Sequence, residues 1–337
     1  MSLPVCNREP TGFHHKSIVT RHIIEHNEYF SWKQRQFRVI MDISPGYRRI
    51  EMKRKLIFTA LLFLIMLIPF SLFSQDFKIE DNVLVKYLGN AENVIIPEGV
   101  TAIGENVFDF NLHIIRITIP SSVTFIKENA FSNCFWLANI TVDSRNSAYS
   151  SIDGVLFNKD RTVLILYPRD KQEKNYTIPA SVTSIGKGAF SNCLSLTSIT
   201  IPSSVTSIGN SAFSDCQSLT GITIPPSVAS IGDFAFGLCL SLESITISEG
   251  VTSIGALAFI SCGSLKSVTI PASVRFIGPA AFFSCAGLRN VNILAVDISI
   301  DGYIFAQCIS LETIVISERV NIGNNVFPYN VKIIYSD

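Results

Sequence analysis

Leu219-Thr220-Gly221-Ile222-Thr223-Ile224-Pro225-Pro226-Ser227-Val228-Ala229-Ser230-Ile231-Gly232-Asp233-Phe234-Ala235-Phe236-Gly237-Leu238-Cys239 is one turn of a repeat. From Ile222 apolar and polar residues alternate, which predicts a strand. Pro225 ends it, because proline has no N–H to continue a ladder. Val228 and Ile231 form a second short extended run on the opposite side, and Gly232 permits a sharp corner. Ala235-Phe236 plugs the interior, and Cys239 sits inside the next bend. One such turn buries too little apolar surface to offset the conformational entropy of ordering its residues. It must therefore stack on copies of itself.

The copies are present. Ile201-Pro202 precedes Ile224-Pro225 by 23 residues, and the same interval leads to Ile247, Ile270, Ile293 and Ile316. Cys193, Cys216, Cys239, Cys262, Cys285 and Cys308 keep that period, as do Phe190, Phe213, Phe236, Phe259, Phe282 and Phe305. Ile178, Val142, Ile119 and Ile96 extend it backwards, with a longer coil over about 142–177. Ten coils follow, starting at positions 96, 119, 142, 178, 201, 224, 247, 270, 293 and 316. Three residue types locked to one period predict a mostly β repeat solenoid. Inside the long coil, Ser151–Phe157 and Thr162–Tyr167 flank Asn158–Arg161, which reads as a hairpin with a polar tip. Val83–Tyr87 and Asn93–Ile96 around Gly89-Asn90 read as an N-terminal capping hairpin within 75–97, and Val331–Tyr335 as a last strand.

The pattern Leu196-x-x-Ile199-x-Ile201-Pro202-x-x-Val205-x-x-Ile208-Gly209-x-x-Ala212-Phe213-x-x-Cys216 resembles the BspA-like leucine-rich repeats of bacterial surface proteins. The resemblance covers about residues 79–337, and the long coil with Asp153-Gly154-Val155-Leu156-Phe157 looks like a longer variant of the same repeat. It implies a curved stack with a parallel sheet on the inner face and short extended or irregular outer segments. It also implies adhesion at a cell surface, through binding of extracellular proteins or glycans, without catalysis. A structural spacer with no specific ligand is the alternative.

The coil starting at Ile293 departs from the pattern. Asp297 stands where valine is expected and Asp301 where glycine is expected. Either the register slips by one and Val296 packs inward, or the coil is locally distorted. The cysteine column alternates with asparagine at Asn111 and Asn330, two small residues able to donate to backbone carbonyls of a tight bend. A buried row of free thiols is the expectation. Neighbouring coils bring Cα atoms within disulfide range, but a parallel stack points the side chains the same way.

Met52-Lys53-Arg54-Lys55, the apolar run Leu56–Phe73 and Ser74-Gln75-Asp76 have the layout of a signal peptide at about 52–74, or of a membrane anchor if uncleaved. Residues 1–51 lack periodicity and read as an unstructured leader before a start at Met52. His22 and His26 lie four apart there, but no metal site is expected. Residues 1–55 carry 11 Lys/Arg against 5 Asp/Glu, leaving 16 against 22 for the remainder, so the expected mature chain is mildly acidic at −6. That argues against nucleic acid and anionic membrane as partners. The expected product is secreted or surface-exposed, with no cofactor, and a monomer.

Only His113 lies after the leader, with no nucleophile motif around it, and no phosphate-binding loop or zinc motif occurs. No catalytic residue is assigned. The outward positions of the strand face are the candidate binding site: Lys266, Arg289, Asn290, Asn292, Thr223, Thr246 and Thr269. Lys266 and Arg289 occupy the same place on adjacent coils, where like charges repel, so an acidic partner is expected to tolerate them. Trp136, beside Phe135, is a second candidate, either as an interface anchor or packed on the long coil's hairpin.

Overall fold

The computed structural model describes residues 76–328 and 331–336. The leader, the signal segment, His22, His26 and Asn330 lie outside the described residues. The described residues form a stack of coils built from short strands, with no helix among them.

Each coil contributes to two parallel ladders. One face carries eleven strands: Asn93–Ile95, Arg116–Ile119, Asn139–Val142, Asn175–Thr177, Ser198–Thr200, Gly221–Ile224, Ser244–Ile247, Ser267–Ile270, Asn290–Ile293, Thr313–Ser317 and Lys332–Ser336. They form three parallel sheets, interrupted after Asn139–Val142 and after Ser244–Ile247. In the regular coils register advances by one repeat, so Ile222 pairs with Ile245 and Thr223 with Thr246. The opposite face is a ladder of two-residue strands, with Ser207↔Ser230 and Ile208↔Ile231 in register. Both ladders are parallel because each coil returns to its starting side before pairing with the next.

The third side has no strand, yet it is hydrogen-bonded just as regularly. The amides of Ser211, Phe213 and Asp215 donate forward to Asp233 O, Ala235 O and Gly237 O at 2.8, 2.7 and 2.8 Å. This geometry requires two left-handed residues per corner, such as Ser211 and Asp215 at φ of 55° and 58°. Such a conformation is unfavourable for non-glycine residues, and the forward bonds offset it. Gly250 has the tightest requirement, at φ 117°, since an added Cβ would lie 2.1 Å from Pro226 O.

Inside, Phe190, Phe213, Phe236, Phe259, Phe282 and Phe305 form one column with ring centroids 4.9–5.3 Å apart and planes within 12°. The cysteines form a second column. Cys216, Cys239, Cys262, Cys285 and Cys308 are buried free thiols whose Sγ atoms donate to the carbonyl of the phenylalanine 26 residues earlier, at 3.1–3.2 Å. Asn111 satisfies a bend in the same way, donating to Gly89 O at 3.1 Å.

One expectation is corrected and one open alternative is decided. The opening hairpin pairs Phe77–Glu80 with Val83–Tyr87, not Val83–Tyr87 with Asn93–Ile96. Asp81 and Asn82 are both left-handed, φ 49° and 63°, as a two-residue hairpin turn demands. Val83–Tyr87 is instead the outer run of the first coil, pairing with Ala102–Ile103. In the coil starting at Ile293 the local distortion is what occurs. Ile300 keeps the buried place 23 residues after Ile277, and the following step is one residue shorter, since Ile300 pairs with Ile322. Val296 stays only half-buried; Ala295 and Ile298 fill the interior, while Asp297 turns left-handed at φ 55°. The distortion breaks the outer ladder, which ends at Phe276–Ile277 and resumes at Ser299–Ile300. The last strand is found where it was expected. Lys332–Ser336 pairs with Thr313–Ser317 and leaves Ile314 and Ile316 fully buried, while Ile333, Ile334 and Tyr335 are 36%, 39% and 55% exposed.

The long coil divides the interior into two cores, one from Leu84 to Leu156 and one from Val155 to Val326. Tyr149–Ile152, Val155–Asn158 and Val163–Leu166 form an antiparallel meander. The expected hairpin is its second half, while Asp153-Gly154 makes a further turn within the arm that had been read as continuous. The central strand is a wall between the cores. Val155 and Phe157 face one and Leu156 the other, all fully buried, as strand alternation dictates. Asn146, also fully buried, fastens the meander to the previous coil. Its Nδ2 donates to Pro120 O and Val123 O at 2.7 and 2.8 Å. Its Oδ1 accepts from the amides of Ala148 and Tyr149 at 2.9 and 2.8 Å.

Candidate functional site

The long-strand face presents its outward residues in rows, because register is constant within each sheet. Thr223 pairs with Thr246, Thr269 with Asn292 and Ser267 with Asn290, while the ladder is interrupted between Ser244–Ile247 and Ser267–Ile270. The inward residues between them, Ile222, Ile245, Val268 and Val291, are buried and hold the rows rigid. Threonine suits an exposed strand, so the row alone specifies no ligand.

A third row lies one residue before each strand, and there charge accumulates: Glu243, Lys266, Arg289, Glu312. Lys266 Nζ meets Glu243 at 2.6 Å and Arg289 Nη1 meets Glu312 at 3.0 Å. This corrects the expectation that the adjacent cations need an acidic partner to be tolerated. Each turns away from the other toward a carboxylate on its far side. The hydrogen bond from Lys266 and its charge hold the Glu243 carboxyl below its usual range. All four side chains are more than half exposed, and exposed pairs of this kind contribute little to stability. What they do is fix a pattern: two cations side by side, bounded by two anions.

Between these rows is a shallow depression of about 460 Å³ lined by Glu243, Ser264, Lys266, Ser267, Gly287, Arg289 and Asn290. Its floor exists because one column shrinks. The position held by Ser195, Ser218, Ser241 and Ser264 becomes Gly287. A Cβ on Gly287 would lie 2.5 Å from Gly263 O, so the two backbones approach where no side chain fits. Leu240 and Ile309, 46% and 76% exposed, stand on either side in the neighbouring column, where Gly263 and Ala286 intervene. The break in the run of serines from Ser195 to Ser264 was the sequence signal for Gly287.

Lys266, Arg289 and Asn290 are thus brought together at the depression, and Thr269 and Asn292 lie on the same two strands. Thr246 and Thr223 lie one and two coils further back. Trp136 belongs elsewhere. It precedes Asn139–Val142, five coils from Lys266, or roughly 25 Å at usual strand spacing. It is 53% exposed, beside Phe135, whose ring lies 5.4 Å from the Arg169 guanidinium. Among the described residues no three His, Cys, Asp or Glu side chains converge as a metal-binding set. His113 is exposed on a bend whose amide donates to Asn111.

The sequence matches the family model described as "BspA type Leucine rich repeat region", in six copies over residues 77–163, 169–289 and 212–334. Among solved structures, the chain is similar to a leucine-rich repeat protein of Eubacterium ventriosum at 31% identity, TM-score 0.62, over 72% of this chain and 62% of that one. It is similar in fold to the pneumococcal vaccine antigen PcpA at 21% identity, TM-score 0.52, over 74% and 64%. A leucine-rich cell surface protein of Faecalibacterium prausnitzii aligns at 29% identity, TM-score 0.43, over 75% and 84%. The aligned part spans less than two thirds of the first two proteins' length. No curated protein matches.

Proposed function

The chain belongs to the BspA type leucine-rich repeat family, and from that premise we propose that it is an exported surface protein that binds protein or glycan through its long-strand face. The observation that carries this is the depression over Lys266, Arg289 and Asn290, set in a rigid platform of hydroxyls and amides. A repeat scaffold offers such an extended surface in place of an enclosed catalytic pocket. The two paired cations are oriented before any partner arrives, which lowers the entropic cost of engagement. The partner that fits sets charges and hydrogen-bonding groups of its own against the fixed order Glu243, Lys266, Arg289, Glu312 and against Asn290. The basic layout of Met52–Lys55 followed by Leu56–Phe73 supports export. The reading is of a binding module, in which no residue is assigned a catalytic role.

The test is retention of the purified full chain on immobilised host matrix proteins, bacterial surface proteins and acidic glycans, beside a Lys266→Glu/Arg289→Glu variant. We expect the variant to lose at least about tenfold in affinity with an unchanged melting temperature. Equal retention of variant and wild type removes the face from consideration.

A further inference from the structure

The junction at the long coil leaves a second concavity, away from the long-strand face. In a regular coil five steps separate the outer-ladder isoleucine from the core phenylalanine, as in Ile185-Gly186-Lys187-Gly188-Ala189-Phe190. In the long coil Leu164 pairs with Ile185, and Tyr167 stacks on Phe190 with its amide donating to Ala189 O. Only three steps, Leu164-Ile165-Leu166-Tyr167, cover the same corner. The corner is two residues short, and the space it vacates is a cavity of about 380 Å³.

That omission strands donors. The amides of Asn106 and Phe108 donate forward to Asn129 O and Ala130 O. Those of Asn129 and Phe131, at the same places one coil on, have no acceptor among the described residues, and both residues line the cavity. Arg169 lines it too, and its Nη1 is buried without a hydrogen-bond partner among the described residues. An unpaired donor is costly where it is buried, as at Arg169 Nη1, whereas Asn129 is exposed. A guanidinium is a planar fork matched to carboxylate. Lys127 and Lys187 stand at the walls with one carboxylate, Glu128, which Lys187 contacts at 2.6 Å. The remaining lining includes three serines, two glycines and the apolar side chains of Ile126, Val163, Ile165 and Leu166. The volume is at the lower end of small-molecule sites, which run from about 300 to 1,000 Å³.

We propose that this cavity binds a small organic carboxylate, its charge taken by Arg169 and the amides of Asn129 and Phe131, and its apolar body by Val163, Ile165 and Leu166. An inorganic oxyanion would use the donors and leave the apolar walls wet. A neutral apolar molecule would use the walls and leave the donors unpaired.

Calorimetric titration of the purified full chain with benzoate, benzyl alcohol and inorganic phosphate separates the three. Benzoate is expected to bind at least about tenfold more tightly than either of the others, and Arg169→Gln to reduce its affinity by about tenfold or more. Insertion of Gly-Ala after Leu166 restores the six-residue corner. It should abolish benzoate binding while the chain melts no lower than wild type. The proposal is overturned by no benzoate binding, by benzyl alcohol or phosphate binding as tightly as benzoate, or by full benzoate affinity in the Arg169→Gln protein. Should either variant misfold, the comparison of the three probes on the wild-type chain still decides.

Discussion

The coils from Ile178 to Ile316 and the junction over residues 126–176 solve one problem differently. In the regular block each coil is sealed by a near-identical neighbour, apart from the coil starting at Ile293, where the outer ladder is interrupted. Rings lie 4.9–5.3 Å apart, thiols donate to the same carbonyl, and corner amides such as those of Ser211, Phe213 and Asp215 run forward. At the junction no identical neighbour exists. The chain substitutes a meander whose central strand serves two cores, one buried asparagine that satisfies four backbone groups, and a shortened corner that satisfies too few. Repetition supplies stability by making each local choice reusable. The departures from it are where polar groups are left facing open space.

That contrast makes the effects of substitution unequal. Phe236→Ala removes a ring fully buried in the middle of the column, between neighbours at 4.9 and 5.2 Å. It should cost roughly 3–5 kcal/mol in denaturant unfolding of the C-terminal core. A loss under about 1 kcal/mol would mean the column is not the interior it is taken to be. Asn146→Ala strands two carbonyls and two amides, and should cost about 3 kcal/mol. The effect should be confined to the N-terminal core and the meander, separating one transition into two. If the whole array melted together, the wall strand would be coupling the cores rather than dividing them. The thiols offer a gentler probe. Burial pushes the Cys134 and Cys239 thiols up to about 12. A raised value means the nucleophilic thiolate is scarce at every pH below it. At pH 8 iodoacetamide should therefore label these cysteines only as fast as the protein opens, Cys134 sooner than Cys239 because the junction is the weaker place. Rapid labelling of both in the native protein would contradict a closed interior.

How much of this was readable in advance follows the same divide. The strand positions, the phenylalanine and cysteine columns and the eleven-strand face were legible, because many coils repeat one pattern and noise cancels. The bend-donating role of Cys and Asn was legible from their exchange at one position. What failed was what occurs once. Asp81-Asn82 carried a hairpin signal that a stronger-looking Gly89-Asn90 overshadowed. Asp297 had two readings until packing chose distortion. Lys266 and Arg289 looked mutually repelling because only their own column neighbours were weighed, not the outer flanks Glu243 and Glu312. The short corner at Leu166 became visible only when pairing fixed Leu164 and Tyr167 to their counterparts. Asn146 could not be singled out among polar turn residues without knowing which carbonyls it would face.

Amide hydrogen exchange on the full chain tests the central claim most directly: that two stacked cores meet at an irregular seam. Protection is expected to be high and nearly constant along the coils from Ile178 to Ile316, to fall over residues 126–176, and to take a separate value before Val123. A single protection level running unbroken through Asn146 and the meander would contradict it.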